Sequence, residues 1–239
     1  MYINPQVLDK KQHRDLKFKP VNDFSFAAQT VSVPLLWDEI SAAARCYPIV
    51  FPLAETPDKA VMPQALLSLV AGHNAFVSDK GAWEAGCYVP AHVRRYPFML
   101  AEVKKGQFAV MIDMESPQVK KRGGDPLFDE DGKPQALLRK VQVFLKKSQT
   151  GVNQTADIVR QLQEADVLVP YRFTVGPKQA PKNIRGFSVV DMKKVKALSD
   201  EVLARWVREG VMALIMAHLN SLERVMDLVR RQEALLAEK

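Results

Sequence analysis

The sequence predicts an α+β protein, with an antiparallel β meander in the N-terminal half packed against a mainly helical C-terminal half. Three observations carry this. Between residues 49 and 114, short β-branched and aromatic runs alternate with turn residues. Beyond Pro134, apolar residues recur at helical spacing. The composition, 47% hydrophobic and 26% charged over 239 residues, is that of a folded chain able to bury a sizeable core, read here as one domain over 1–239.

Residues 1–33 read as a basic arm laid on the body. Lys10, Lys11, Arg14, Lys17 and Lys19 crowd together there, with Phe24 and Phe26 as short apolar anchors. Residues 34–115 form the β-rich part. It is entered by a helix that Pro34 opens and Tyr47-Pro48 ends, with Leu36, Ile40, Ala43 and Ala44 at helical spacing. Strands are expected at Ile49-Val50-Phe51, Gln64 to Val70 and Asn74 to Val77. Ser78-Asp79-Lys80-Gly81 then turns the chain so that Phe76 faces Trp83. A second hairpin pairs Phe98–Val103 with Gln107–Asp113 around Lys104-Lys105-Gly106.

Residues 116–134 lose all apolar periodicity among prolines, glycines and charges, and read as a long surface loop. Residues 135–239 are mainly helical. A helical hairpin is expected, one arm carrying Leu137, Leu138, Val141, Phe144 and Leu145, the other Ala156, Val159 and Leu162 after Gly151. Val167, Val169, Tyr171, Phe173 and Val175 alternate as a strand that Pro170 confines to an edge, with Phe187 and Val189 as its partner. Asp191 and Ser199 suit helix N-caps. From Ser199 one long helix is expected, with an apolar stripe from Leu203 through Trp206, Val211, Ile215 and His218 to Val229; core packing is its expected use, and dimerisation through it stays open.

Val211 to Leu219 is the longest strongly apolar run, far short of the roughly 20 residues a bilayer span requires. The start of the chain lacks the apolar segment and cleavage site of a signal peptide, so a cytoplasmic location is expected. Cys46 and Cys87 are too few for a disulfide framework and read as reduced, structural thiols. The net charge of +7 is spread along the whole chain, which disfavours a dedicated nucleic-acid surface.

No dinucleotide fingerprint, phosphate loop or nucleophile elbow is present, so no cofactor is expected. His13, His73, His92 and His218 stand in no metal-ligand spacing, and His218 reads as a core histidine. Cys87 and His92, with Asp113 and Glu115 nearby in sequence, define where an enzyme would place its chemistry, although no oxyanion or orienting signature accompanies them. Asp113, Glu115, Asp125, Asp129, Glu130 and Asp131 could gather a hard cation, and Asp129-Glu130-Asp131-Gly132 resembles part of a calcium loop, but the full alternation with a terminal glutamate is missing and no metal site is assigned. The densest candidate binding segment runs from Tyr88 to Phe98. Its guanidinium groups Arg94 and Arg95 could fork onto a carboxylate, with Tyr88, His92 and Tyr96 beside them.

That segment and Tyr47-Pro48-Ile49-Val50-Phe51 resemble the SapC family of bacterial proteins. Asp23-Phe24-Ser25-Phe26, Pro126 to Gly132, Gly186 to Asp191 and Ala217-His218-Leu219-Asn220-Ser221-Leu222 are similar to further landmarks of that family, in order and over nearly the full length. The family name is linked to surface-layer proteins. The resemblance implies a non-catalytic accessory or binding protein of the cell surface, reached by signal-peptide-independent export or met inside the cell. Its expected partner is a protein or cell-surface component, with a small-molecule ligand left open; an enzyme, or a binder of nucleic acid or anionic membrane, is the rival reading.

Overall fold

The computed structural model describes residues 1–53, 61–104, 106–175 and 181–233. Three short strands, β1 (Pro5–Val7), β2 (Lys17–Phe18) and β3 (Ser32–Pro34), precede a 3₁₀ turn at Trp37–Glu39 and helix α1 (Ile40–Ala43). Strands β4 (Ile49–Pro52) and β5 (Gln64–Leu66) lead to helix α2 (Ala91–Arg94) and the hairpin β6 (Phe98–Lys104) and β7 (Gln107–Asp113). After β8 (Val119–Lys120) and β9 (Asp125–Pro126) comes the long helix α3 (Ala136–Glu164), then β10 (Leu168–Val175) and β11 (Lys182–Val190). Four helices close the described chain: α4 (Met192–Lys196), α5 (Asp200–Arg208), α6 (Val211–Ser221) and α7 (Arg224–Arg231).

The α+β class holds, with antiparallel sheet in the N-terminal half and helices in the C-terminal half, but the strands of 49–114 divide between sheets instead of running on as one meander. Among the described residues the strands form three antiparallel sheets, ordered β1-β7-β6, β10-β11-β4-β5-β3 and β8-β2-β9. Strands β4 and β5 join C-terminal strands, while the β6–β7 hairpin takes its third strand from the N-terminus, with Gln6 opposite Ile112. The basic arm is therefore a donor of one strand to each sheet. The expected surface loop at 116–134 is also corrected, because β8 and β9 flank β2 and bury Leu127 and Phe128 beneath them. Lys105, part of the expected turn Lys104-Lys105-Gly106, lies outside the described residues.

Other expectations shift for local reasons. Pro34 ends an edge strand instead of opening a helix, a place where its missing N–H is harmless. Only Gln64–Leu66 of the segment 64–70 is strand, and residues 74–77 supply one bridge, Val77 to Trp83. The Phe76 ring turns instead onto Tyr47 at 4.6 Å, edge to face.

Two glycines explain the helix count. Gly151 does not divide α3: buried Leu138, Leu145, Val159 and Leu162 share one stripe across it, and the missing side chain admits Leu36, whose Cδ1 would lie 3.0 Å from a Cβ there. The Trp37 amide donates to Thr155 Oγ1 at 2.9 Å and its indole to Gln154 Oε1 at 3.1 Å, so the 3₁₀ turn docks on α3 at that gap. Gly210, by contrast, has φ of 80° and ends α5 in the left-handed conformation, which splits the expected long helix. The N-caps are as expected, with Asp191 accepting from the Lys193 amide and Ser199 from that of Val202.

Helix α3, about 43 Å long at 1.5 Å per residue, joins two cores. Its first half packs Leu138 and Leu145 with Leu16, Phe18, Phe98 and Ile112. Its second half adds Val159 and Leu162 to the main core of Tyr47, Ile49, Phe51, Trp206 and Ile215. Val50, alternating to the other face of β4, packs with Phe173, Phe187 and Val225. No helix among the described residues is long and apolar enough to cross a membrane.

At the centre, fully buried His218 of α6 is bonded on both ring nitrogens. Nε2 accepts from the Val190 amide at 3.1 Å and Nδ1–H donates to the Ile49 carbonyl at 2.9 Å. Burial holds its pKa at about 4, against 6.5. Above pH 6.5 neither folded nor unfolded chain carries the proton, and between 6.5 and about 4 only the unfolded chain does. Stability is therefore complete above that window and falls as pH drops through it, by about 3 kcal/mol for this group. Denaturant titrations across pH will show this loss, and His218→Gln will remove this group's share of it, leaving that of His92, while costing about 2 kcal/mol at neutral pH.

Candidate functional site

The segment from Tyr88 to Tyr96 folds around α2, and this short helix divides the candidate residues between two sides. On one side Glu39, from the 3₁₀ turn, is 5% exposed and collects three donors. Its Oε1 accepts from the Tyr88 hydroxyl at 2.7 Å and the Ala91 amide at 2.6 Å, and its Oε2 from the Leu36 amide at 3.0 Å. The Arg94 guanidinium donates to the Tyr88 hydroxyl at 2.7 Å and lies 3.7 Å from Glu39. It is also held between two rings, its Cζ 5.3 Å from the Tyr88 centroid and 5.5 Å from that of Phe144. Burial first, then the Glu39 hydrogen bond and charge, push the Tyr88 phenol up, so it stays a neutral donor.

These groups line a cleft of about 280 Å³, completed by Lys147 and Ser148 from α3. The cleft continues onto the outer face of α3 through Phe144 and Lys147. That face is a groove of about 540 Å³ lined by Ala136, Arg139, Lys140 and Val143, the last 70% exposed.

On the other side of α2, Arg95, His92 and Tyr96 face the N-terminus. The Tyr2 phenol is within hydrogen-bond reach of Arg95, whose buried Nε has no hydrogen-bond partner among the described residues. Burial, then the positive charges of Arg95 and the terminal ammonium, lower the His92 pKa to about 4. The Tyr96 ring stacks on Phe26 at 3.9 Å and its hydroxyl meets Asp113 Oδ2 at 3.3 Å. Phe26, Tyr96, Asp23 and Glu115 line a second cavity of about 670 Å³.

Arg94 and Arg95 thus serve different neighbourhoods. Nor do the candidate catalytic groups form one constellation. Cys87 is a free thiol beside that of Cys46, and burial first, then a hydrogen bond with Cys46, pushes it up to about 12, whereas His92 has Arg95 and the terminal ammonium as its charged neighbours. Asp113 is fully buried and accepts from the amides of Ile3, Asn4 and Glu115, pinning the N-terminal strand. Burial alone would raise its pKa, but these donors outweigh that cost and lower it. Asp129 folds back on the amides of Asp131 and Lys133. Among the described residues no three metal-ligating side chains gather.

Sequence reasoning missed Glu39, Phe144 and Lys147 as cleft residues. Glu39 carries no local pattern that marks it. The α3 face had a signal: from Lys133 to Ala156 the chain holds five Lys or Arg residues and no Asp or Glu.

Fold and site together define an α+β protein with a basic, aromatic-braced cleft. A family model, SapC, matches residues 8–228, and the chain belongs to the SapC family. No curated protein and no solved structure matches it.

Glu39→Ala strands the Tyr88 hydroxyl and two amides, and is expected to cost about 2–4 kcal/mol, read by chemical denaturation. Glu39→Gln, which keeps acceptor oxygen in place, should lose less than half of that.

Proposed function

We propose that this chain is a non-catalytic accessory or binding protein acting on components of the bacterial cell surface or surface layer, which it grips through the Arg94 cleft. The posture of Arg94 carries the binding reading. The side chain is 45% exposed, yet it is fixed by Tyr88, Glu39 and Phe144. A guanidinium already ordered by its own fold loses little freedom on meeting a carboxylate or phosphate, and its outward N–H groups match such an anion. Lys147 beside it, and Arg139 and Lys140 further along α3, extend the positive surface. The surface association rests on the family and on the link its name carries.

Catalysis is the weaker reading because the acids and bases near the segment are engaged in holding the fold. Asp113 ties down the N-terminus, Glu39 holds α2 in place, and Cys87 and His92 have separate partners.

Purified protein sedimented with envelope fractions of the native bacterium tests this proposal. Retention is expected in the surface-layer fraction, weakening as salt rises, and Arg94→Ala with Lys147→Ala should cut it about tenfold. Retention indifferent to both substitutions, or no retention in any fraction, would contradict it.

A further inference from the structure

The chain's two cysteines are 41 positions apart in sequence and meet in the fold. Cys46 follows α1, its amide bonded to the Ala43 carbonyl at 2.9 Å; Cys87 closes the turn before Tyr88, its amide bonded to the Glu84 carbonyl at 3.2 Å. Cys46 Sγ lies 3.9 Å from the carbonyl oxygen of Gly86, the residue joined to Cys87, and the two thiols are in side-chain hydrogen-bond contact.

The approach of the two backbones does not depend on the sulfurs. Tyr47, next to Cys46, donates its hydroxyl to the carbonyl of Tyr88, next to Cys87, at 2.5 Å, and accepts from the Trp83 indole at 2.9 Å. Both thiols are half-buried on the main core, while Glu84, Ala85 and Gly86 beside them are exposed. A small reagent therefore has a way in, and the partner sulfur is already in place.

We propose that Cys46 and Cys87 form a reversible modification site, which a low-molecular-weight disulfide closes into an intramolecular bond between them. The exchange balances without another reactant. One cysteine gives up its proton and its sulfur attacks one sulfur of the reagent, releasing the first thiol. The second cysteine then gives up its proton and displaces the second thiol from the mixed disulfide. Two S–H bonds become one S–S bond in the protein, and the reagent is reduced by two electrons to two thiols.

A high thiol pKa slows this exchange but does not set its end point, which the held proximity of the sulfurs favours. The bond would fasten the end of α1 to the backbone that carries Tyr88, and would persist in an oxidising compartment and open in a reducing one.

The test equilibrates reduced full-length protein with oxidised glutathione at mildly alkaline pH, then counts thiols after denaturation and maps peptides without reductant. Expected are loss of both thiols together, a mass lower by two hydrogens, and one joined peptide pair containing Cys46 and Cys87. The thermal midpoint should rise on the order of 5–10 °C, and dithiothreitol should reverse every change. Cys46→Ser and Cys87→Ser should each leave one thiol that takes a single glutathione adduct. Two free thiols, stable glutathione adducts on the wild type, or cross-links between chains would overturn the proposal. The peptide map is read on the wild type, so it decides the matter even where a variant fails to fold.

Discussion

The structure depends on how the buried strand β4 is satisfied at its start. Ile49 is fully buried, and in the large sheet its neighbour β5 leaves backbone groups of that residue to be met from elsewhere. Helix α6 meets both. Ser221 Oγ accepts from the Ile49 amide at 3.0 Å, and the His218 ring takes the Ile49 carbonyl while its other nitrogen takes the amide of Val190, the last residue of β11. An unpaired buried backbone group costs about 1–3 kcal/mol, so three such bonds fix where α6 crosses the sheet. The Phe51 ring packs edge to face on the same imidazole at 5.1 Å, which leaves a neutral histidine as the tenant that fits.

The same device recurs at the two other polar centres. Asp113 gathers backbone amides from the first residues of the chain and from its own turn, and Glu39 gathers those that begin the 3₁₀ turn and α2. Each buried carboxylate is spent on amides that have no sheet or helix partner. This division of labour explains why the carboxylates near α2 are structural, while Arg94 and the α3 lysines look outward and are the groups the proposed binding reading uses.

Local features were legible in the sequence where physics is local. The β6–β7 hairpin, the edge position of Pro170, the caps Asp191 and Ser199, and the core role of His218 follow from turn residues, ring chemistry, short-range hydrogen bonds and apolar pattern. What escaped was decided at long range. Strands of two or three residues such as β1 and β2 have no period of their own and exist because β7, β8 and β9 pair with them from across the chain. Gly151 and Gly210 are the same residue with opposite effects, since one is filled by Leu36 from another element and the other has nothing to hold it helical. Of the candidate site, Tyr88 and Arg94 were visible as a motif. Glu39 was not, because it lies 49 residues from its Tyr88 partner and only the fold brings them together.

The central claim is that the face built around Arg94 is the working surface, and that the opposite face of α2 serves the scaffold. An NMR titration of full-length protein with solubilised surface-layer material, following amide and arginine Nε–H signals, tests this most directly. Shifts centred on Arg94, Phe144 and Lys147, with Arg95, Asp113 and His218 unmoved, are the predicted result. Shifts centred on Phe26, Tyr96 and Glu115, or none at saturating material, would contradict it.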